Sequence, residues 1–85
     1  MTRAEEFEKL RPLLFSIAYR ILGSVAEAED AVQDTWLRLT GADTDEVQNL
    51  GGWLTTVVAR VALNMLRSRR TRNEEPAGYS WPGTW

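Results

Sequence analysis

The sequence predicts an all-α protein, a compact bundle of three to four helices with a long ordered loop before the last one. Three observations carry that expectation. Apolar residues recur at helical spacing in three separate stretches of the chain. Helix-start signals precede the first two, Thr2-Arg-Ala-Glu5 and Ser24-Val-Ala-Glu27, each with the spacing of a capping box. No stretch alternates apolar and polar residues in the manner of a half-buried strand.

The first helix opens at Thr2 and carries Phe7, Leu10, Leu14, Ile17, Ala18, Ile21 and Leu22 on one stripe up to Gly23, a fitting C-terminal cap. Pro12 lies inside it. Because the stripe keeps its phase across the proline, one kinked helix is expected, not a second helix beginning at Arg11. The second helix follows almost without a loop, so the two should be antiparallel. Val25, Ala28, Val32, Trp36 and Leu39 are expected to face the core, with Glu27, Asp30, Gln33, Asp34, Leu37 and Arg38 on the other side.

From Ala42 to Gly52 the composition is that of a loop, long enough to suggest a function beyond connection. The third helix is expected from about Trp53 to Arg70. Its apolar stripe is Leu54, Val57, Val58, Val61, Ala62 and Met65, and half-way round lie Thr56, Arg60, Leu63, Asn64 and Arg67. Leu10, Leu14, Ile17, Ile21, Val32, Trp36, Leu54, Val58, Val61 and Met65 should therefore share one core, since no single stripe is stable alone. Residues 1–72 read as the folded domain. Residues 73–85, with Pro76, Gly78, Pro82 and Gly83 among Tyr79, Trp81 and Trp85, read as a poorly ordered linker or tail.

Charge is divided unevenly along the chain. Residues 1–52 hold ten acids against five bases, whereas residues 53–72 hold Arg60, Arg67, Arg69, Arg70 and Arg72 and no acid. A basic helix in an otherwise acidic chain is the electrostatic footprint of a polyanionic partner. Eighty-five residues allow one small domain. With no Cys and no His, the chain has neither a thiolate nor an imidazole, so zinc sites of the usual ligand types and the common hydrolase constellations are excluded. No cofactor, no metal and no enzymatic activity are expected. No apolar run approaches the length of a membrane span and the charged N-terminus does not read as a signal peptide, so a cytoplasmic protein with no membrane partner is expected.

Glu29-Asp-Ala-Val-Gln-Asp-Thr-Trp-Leu-Arg-Leu39 resembles the second conserved helix of region 2 in bacterial sigma factors, with the extracytoplasmic-function (ECF) group nearest. Arg11 to Ser24 is similar to the first helix of that region, and Gly52 to Arg67 to its promoter-reading helix. The resemblance spans about residues 7–72, in the right order and spacing. Thr55-Thr-Val-Val58 after Trp53-Leu54 looks most like the subgroup with a SnoaL-like C-terminal domain. The resemblance implies a transcription initiation factor that binds the β′ coiled coil of the RNA polymerase core. It also implies recognition and melting of the promoter minus-ten element through its non-template strand.

Carried over residue by residue, the polymerase-binding set is Asp30, Gln33, Asp34, Leu37 and Arg38. The DNA-binding set is Asn49, Trp53, Thr56, Arg60, Asn64, Arg67, Arg69 and Arg70, with the Gly51-Gly52 backbone beside it. Trp53 reads either as core or as a wedge at the duplex edge. One departure is Arg60, where the family commonly has Asn; an Arg can hold phosphate or guanine but does not read adenine as Asn does. An anti-sigma factor or a C-terminal regulatory domain is a further partner that the resemblance leaves open, as is a helix-turn-helix domain. The competing readings are a helical DNA-binding regulator, for which the 42–52 loop is too long, and a protein-interaction bundle without sigma activity.

Overall fold

The computed structural model describes residues 2–42 and 48–74, with side chains in the last stretch described as far as Arg69. It contains α1 (Arg3–Leu22), α2 (Val25–Gly41) and α3 (Leu50–Glu74), and among the described residues no strand. Each helix packs on the other two. The expected all-α bundle is thus formed by three helices.

Local chemistry sets the ends of α1. The Thr2 hydroxyl accepts the Glu5 N–H at 3.1 Å, and the Glu5 carboxylate accepts the Thr2 N–H at 2.9 Å, closing the capping box. Those bonds to Thr2, backbone first and side chain second, hold the Glu5 carboxyl below its ordinary pKa. The helix runs through Pro12 and ends where Gly23, at φ 69°, gives its N–H to the Tyr19 carbonyl. Pro12 forfeits one backbone bond, but Phe7 and Leu14 on either side of it are both buried, so packing holds the two halves together.

At Ser24 only half of the second capping box forms. The Ser24 hydroxyl accepts the Glu27 N–H at 3.3 Å, while the Glu27 carboxylate accepts from Arg69 at 2.6 Å. An ion pair across the bundle has drawn the side chain away from the local bond.

The core joins Phe7, Leu14, Ala18 and Leu22 of α1, Ala28, Ala31, Val32 and Leu39 of α2, and Leu50, Leu54, Val58, Val61 and Ala62 of α3. Leu10, Ile17, Ile21, Trp36 and Met65 are partly buried against it, so all ten residues expected in one core lie in or on it. Trp36 leans on Phe7 with ring centroids 5.1 Å apart. One core expectation for α2 needs correction. Val25 is 56% exposed, because it stands at the first position of the helix, at the corner of the bundle. Thr35 is fully buried instead, its hydroxyl satisfied by the Ala31 carbonyl at 2.8 Å. Four completely buried alanines, Ala18, Ala28, Ala31 and Ala62, are spread over all three helices.

The third helix starts three residues earlier than expected, at Leu50. The Asn49 side-chain oxygen accepts the Gly52 N–H at 2.9 Å, and its backbone carbonyl accepts the Trp53 N–H at 3.0 Å. This is an N-cap, and it carries the helix through a glycine pair of poor intrinsic propensity. The expected 42–52 loop therefore shortens to 42–49, of which 43–47 lie outside the described residues. At its far end α3 extends past the expected Arg70 to Glu74. The tail from Glu75 onward, with its aromatic residues, lies outside the described residues.

Candidate polymerase and nucleic-acid interfaces

The residues singled out on α2 fall on its outer side. Leu37 is 56% exposed, and Asp30, Gln33 and Arg38 are exposed around it. Asp34 is half-buried at the edge of this face, where it accepts from the Arg38 guanidinium at 3.3 Å. An exposed leucine on a helix that already buries five residues on the opposite side is not needed by the core. With a polar rim around it, Leu37 has the form of an apolar anchor for a protein partner.

On α3 the outward row is Thr56, Arg60, Leu63 and Arg67, all exposed, with Asn64 beside it. Among the described residues neither Arg60 nor Arg67 has an acidic partner, in contrast to Arg11, Arg38 and Arg69. Both are exposed, so among the described residues their charge is left to solvent. The Thr56 hydroxyl donates to the Gly52 carbonyl at 3.0 Å, so it can offer a partner only its lone pairs. Trp53 is half-buried and packs against the core, in accord with the first of its two readings.

Two members of the DNA-binding set are engaged within the fold. Asn49 spends its side-chain oxygen on the Gly52 N–H, which leaves its amide NH2 for any partner and removes the Gly52 N–H as a donor. A Cβ on Gly52 would lie 2.8 Å from the Asn49 Nδ2, so glycine there accommodates the cap. Arg69 points to the inner side of α3. Its Nη1 donates to the Glu27 carboxylate at 2.6 Å and to the Leu22 carbonyl at 3.3 Å, tying α3 to the corner between α1 and α2. The Arg70 side chain lies outside the described residues.

The two sets also meet. A shallow groove of about 260 Å³ between α2 and α3 is lined by Asp34 and Arg38 on one wall and by Val61, Asn64 and Met65 on the other. Sequence reasoning missed this proximity, and it missed Glu27 and Arg69 as a pair. The helical phase Ala62–Met65–Arg69 was the available signal, since it places Arg69 on the buried stripe.

The structure thus has three helices in this order, with an exposed acid-bearing face on the second and an exposed row carrying Arg60 and Arg67 on the third. A family model described as sigma-70 region 2 matches residues 7–72. The chain belongs to that family. It is 49% identical over 80 residues to the ECF RNA polymerase sigma factor SigJ of Mycobacterium tuberculosis, an alignment covering 94% of this chain and 24% of that protein. It is also 36% identical over 66 residues to a probable ECF RNA polymerase sigma factor, SigI, of the same species, covering 78% of this chain and 23% of that one. The chain thus spans about a quarter of the length of the curated relatives it matches. No solved structure matches it. No helix among the described residues is long and apolar enough to cross a membrane.

Proposed function

We propose that this chain is the part of a transcription initiation factor that docks on the β′ coiled coil of RNA polymerase and captures the non-template strand of the minus-ten element. The observation that carries the reading is the pair of guanidiniums, Arg60 and Arg67, without an acidic partner among the described residues, on one exposed row of α3, while a separate helix presents Leu37 in a polar rim. The names of the two relatives, both sigma factors of RNA polymerase, support it.

On α2, Leu37 supplies the anchor, and Asp30, Gln33, Asp34 and Arg38 set the register. On α3, Arg60 and Arg67 hold phosphates, and Asn64 reads a base edge from the rim of the groove. A base taken out of the stack costs a few kcal/mol, which contacts around Asn49, Trp53 and Thr56 must offset. Trp53, packed against the core at the start of α3, meets the edge of the opening duplex on this reading. Arg69 serves α3 by fixing it, and Arg70 adds positive charge along the same helix.

Fluorescence anisotropy with a labelled minus-ten-like oligonucleotide, as single strand and as duplex, at several salt concentrations, tests the DNA half. Tighter binding of the single strand, with a log–log salt slope of about −0.7 per neutralised phosphate, is the expected result. Equal or tighter binding of duplex, or no sequence dependence at any salt, would leave a generic basic helix as the better account.

A further inference from the structure

The basic face of α3 has an apolar centre. Leu63 is 45% exposed and stands between Arg60, three residues before it, and Arg67, four residues after. At about 100° per residue, positions 56, 60, 63 and 67 fall within an arc of about 60°, so they form a single row along the helix. The rise places Leu63 about 4.5 Å along the axis from Arg60 and about 6 Å from Arg67.

A lone exposed leucine on a protein surface needs no explanation. Leu63 differs in its frame. The two guanidiniums that flank it have no acidic partner among the described residues, so a strand of phosphates held by both must pass over it. A nucleic-acid strand gripped at its phosphates leaves its bases free to turn toward the surface between the grips. The Leu63 side chain has no donor or acceptor, and can favour a base only by covering apolar surface. Among the DNA bases, thymine alone presents a methyl group.

We infer that Leu63 is a specificity-determining contact, selecting the 5-methyl group of a thymine in a single strand held by Arg60 and Arg67. The inference rests on the single-strand reading above and adds a base to it. The two kinds of contact divide the work physically. The arginines release counterions and set the salt dependence, whereas Leu63 removes apolar area from water and leaves the salt dependence alone.

The test uses the 85-residue chain, a thymine-containing single strand, and the same strand with uracil at every thymine. The wild-type chain should bind the thymine strand about two- to fourfold more tightly, the value of burying one methyl-sized group. Leu63→Gln should bring the thymine-to-uracil ratio to about one without changing the salt slope, and Leu63→Met should keep the preference. Because Leu63 is outside the core, all three proteins should give the same helical circular dichroism. A ratio of one in the wild type, or a preference that survives Leu63→Gln, overturns the assignment of Leu63 and leaves the single-strand reading standing. Failure of the wild-type chain to bind the thymine strand at any salt concentration overturns that reading and this inference with it.

Discussion

Helices α2 and α3 each turn one leucine to solvent, Leu37 at 56% and Leu63 at 45% exposure, on the side away from the shared core. What surrounds the two differs. Around Leu37 the negative charge of Asp34 is answered by Arg38 on the same helix. Around Leu63 the charges of Arg60 and Arg67 are answered by nothing among the described residues. A face whose charges are partly satisfied internally exerts little pull at a distance and suits a partner that brings its own shape. A face with unspent positive charge draws a polyanion before contact is made. On the proposed reading the same apolar residue suits two classes of partner, and the pairing state of its neighbours decides which.

The comparison breaks most completely if the common core fails. Leu54 is fully buried, and Leu54→Ala should cost about 2–5 kcal/mol, enough to unfold much of so small a domain. A urea melt should show it, and both binding activities should fall together; survival of one alone would mean that the faces do not depend on one core. Next in size, Leu37→Asp should abolish binding to the β′ coiled coil while single-strand binding stays within about twofold and the circular dichroism stays helical. If coiled-coil binding persists, α2 is not the docking face.

The contrast between paired and unpaired arginines can be sharpened within α3. Arg67→Ala should flatten the salt slope for single-strand binding by about 0.7 and leave thermal stability unchanged. Arg69→Ala should do the reverse, lowering stability by about 1 kcal/mol through loss of a partly exposed ion pair and a carbonyl contact, with the slope unchanged. Identical effects from the two would erase the distinction. The smallest effect is expected at Glu5, in the first turn of α1. Its carboxyl is held below the ordinary value by Thr2, so the stabilisation is fully present above the unfolded pKa of about 4.3 and is lost as pH falls through the lower folded value. The stability advantage of the wild type over Glu5→Ala should therefore shrink on acidification, as followed by thermal melts from neutral pH to pH 3.

Much of this architecture was legible because it is local or periodic. Thr2 and Gly23 announce the ends of α1, and the stripe Leu54, Val58, Val61, Ala62 announces the inner side of α3. The outer sets on α2 and α3 followed as the complement of those stripes, and Leu37, Arg60 and Arg67 are exposed as expected. Three features escaped for physical reasons. The Asn49 cap outweighed the glycine pair that reads as loop. Ala31 and Thr35 contribute little to an apolar pattern, so Val25 seemed the better core residue. Arg69 looks like its neighbours in composition, and only a partner 42 residues away in sequence, Glu27, gives it a different role.

The four buried alanines have a consequence for how this protein would answer to mutation. At Ala18, Ala28, Ala31 and Ala62 the side chain is a single methyl with no exposed surface, so its smallness is what lets the helices lie close. Replacing each residue in turn by alanine, the usual way to find what matters, is silent at these positions. They answer only to enlargement, where each added carbon must push a helix aside. The spacing that aligns the two outer faces is thus kept by the four residues that a conventional scan would skip.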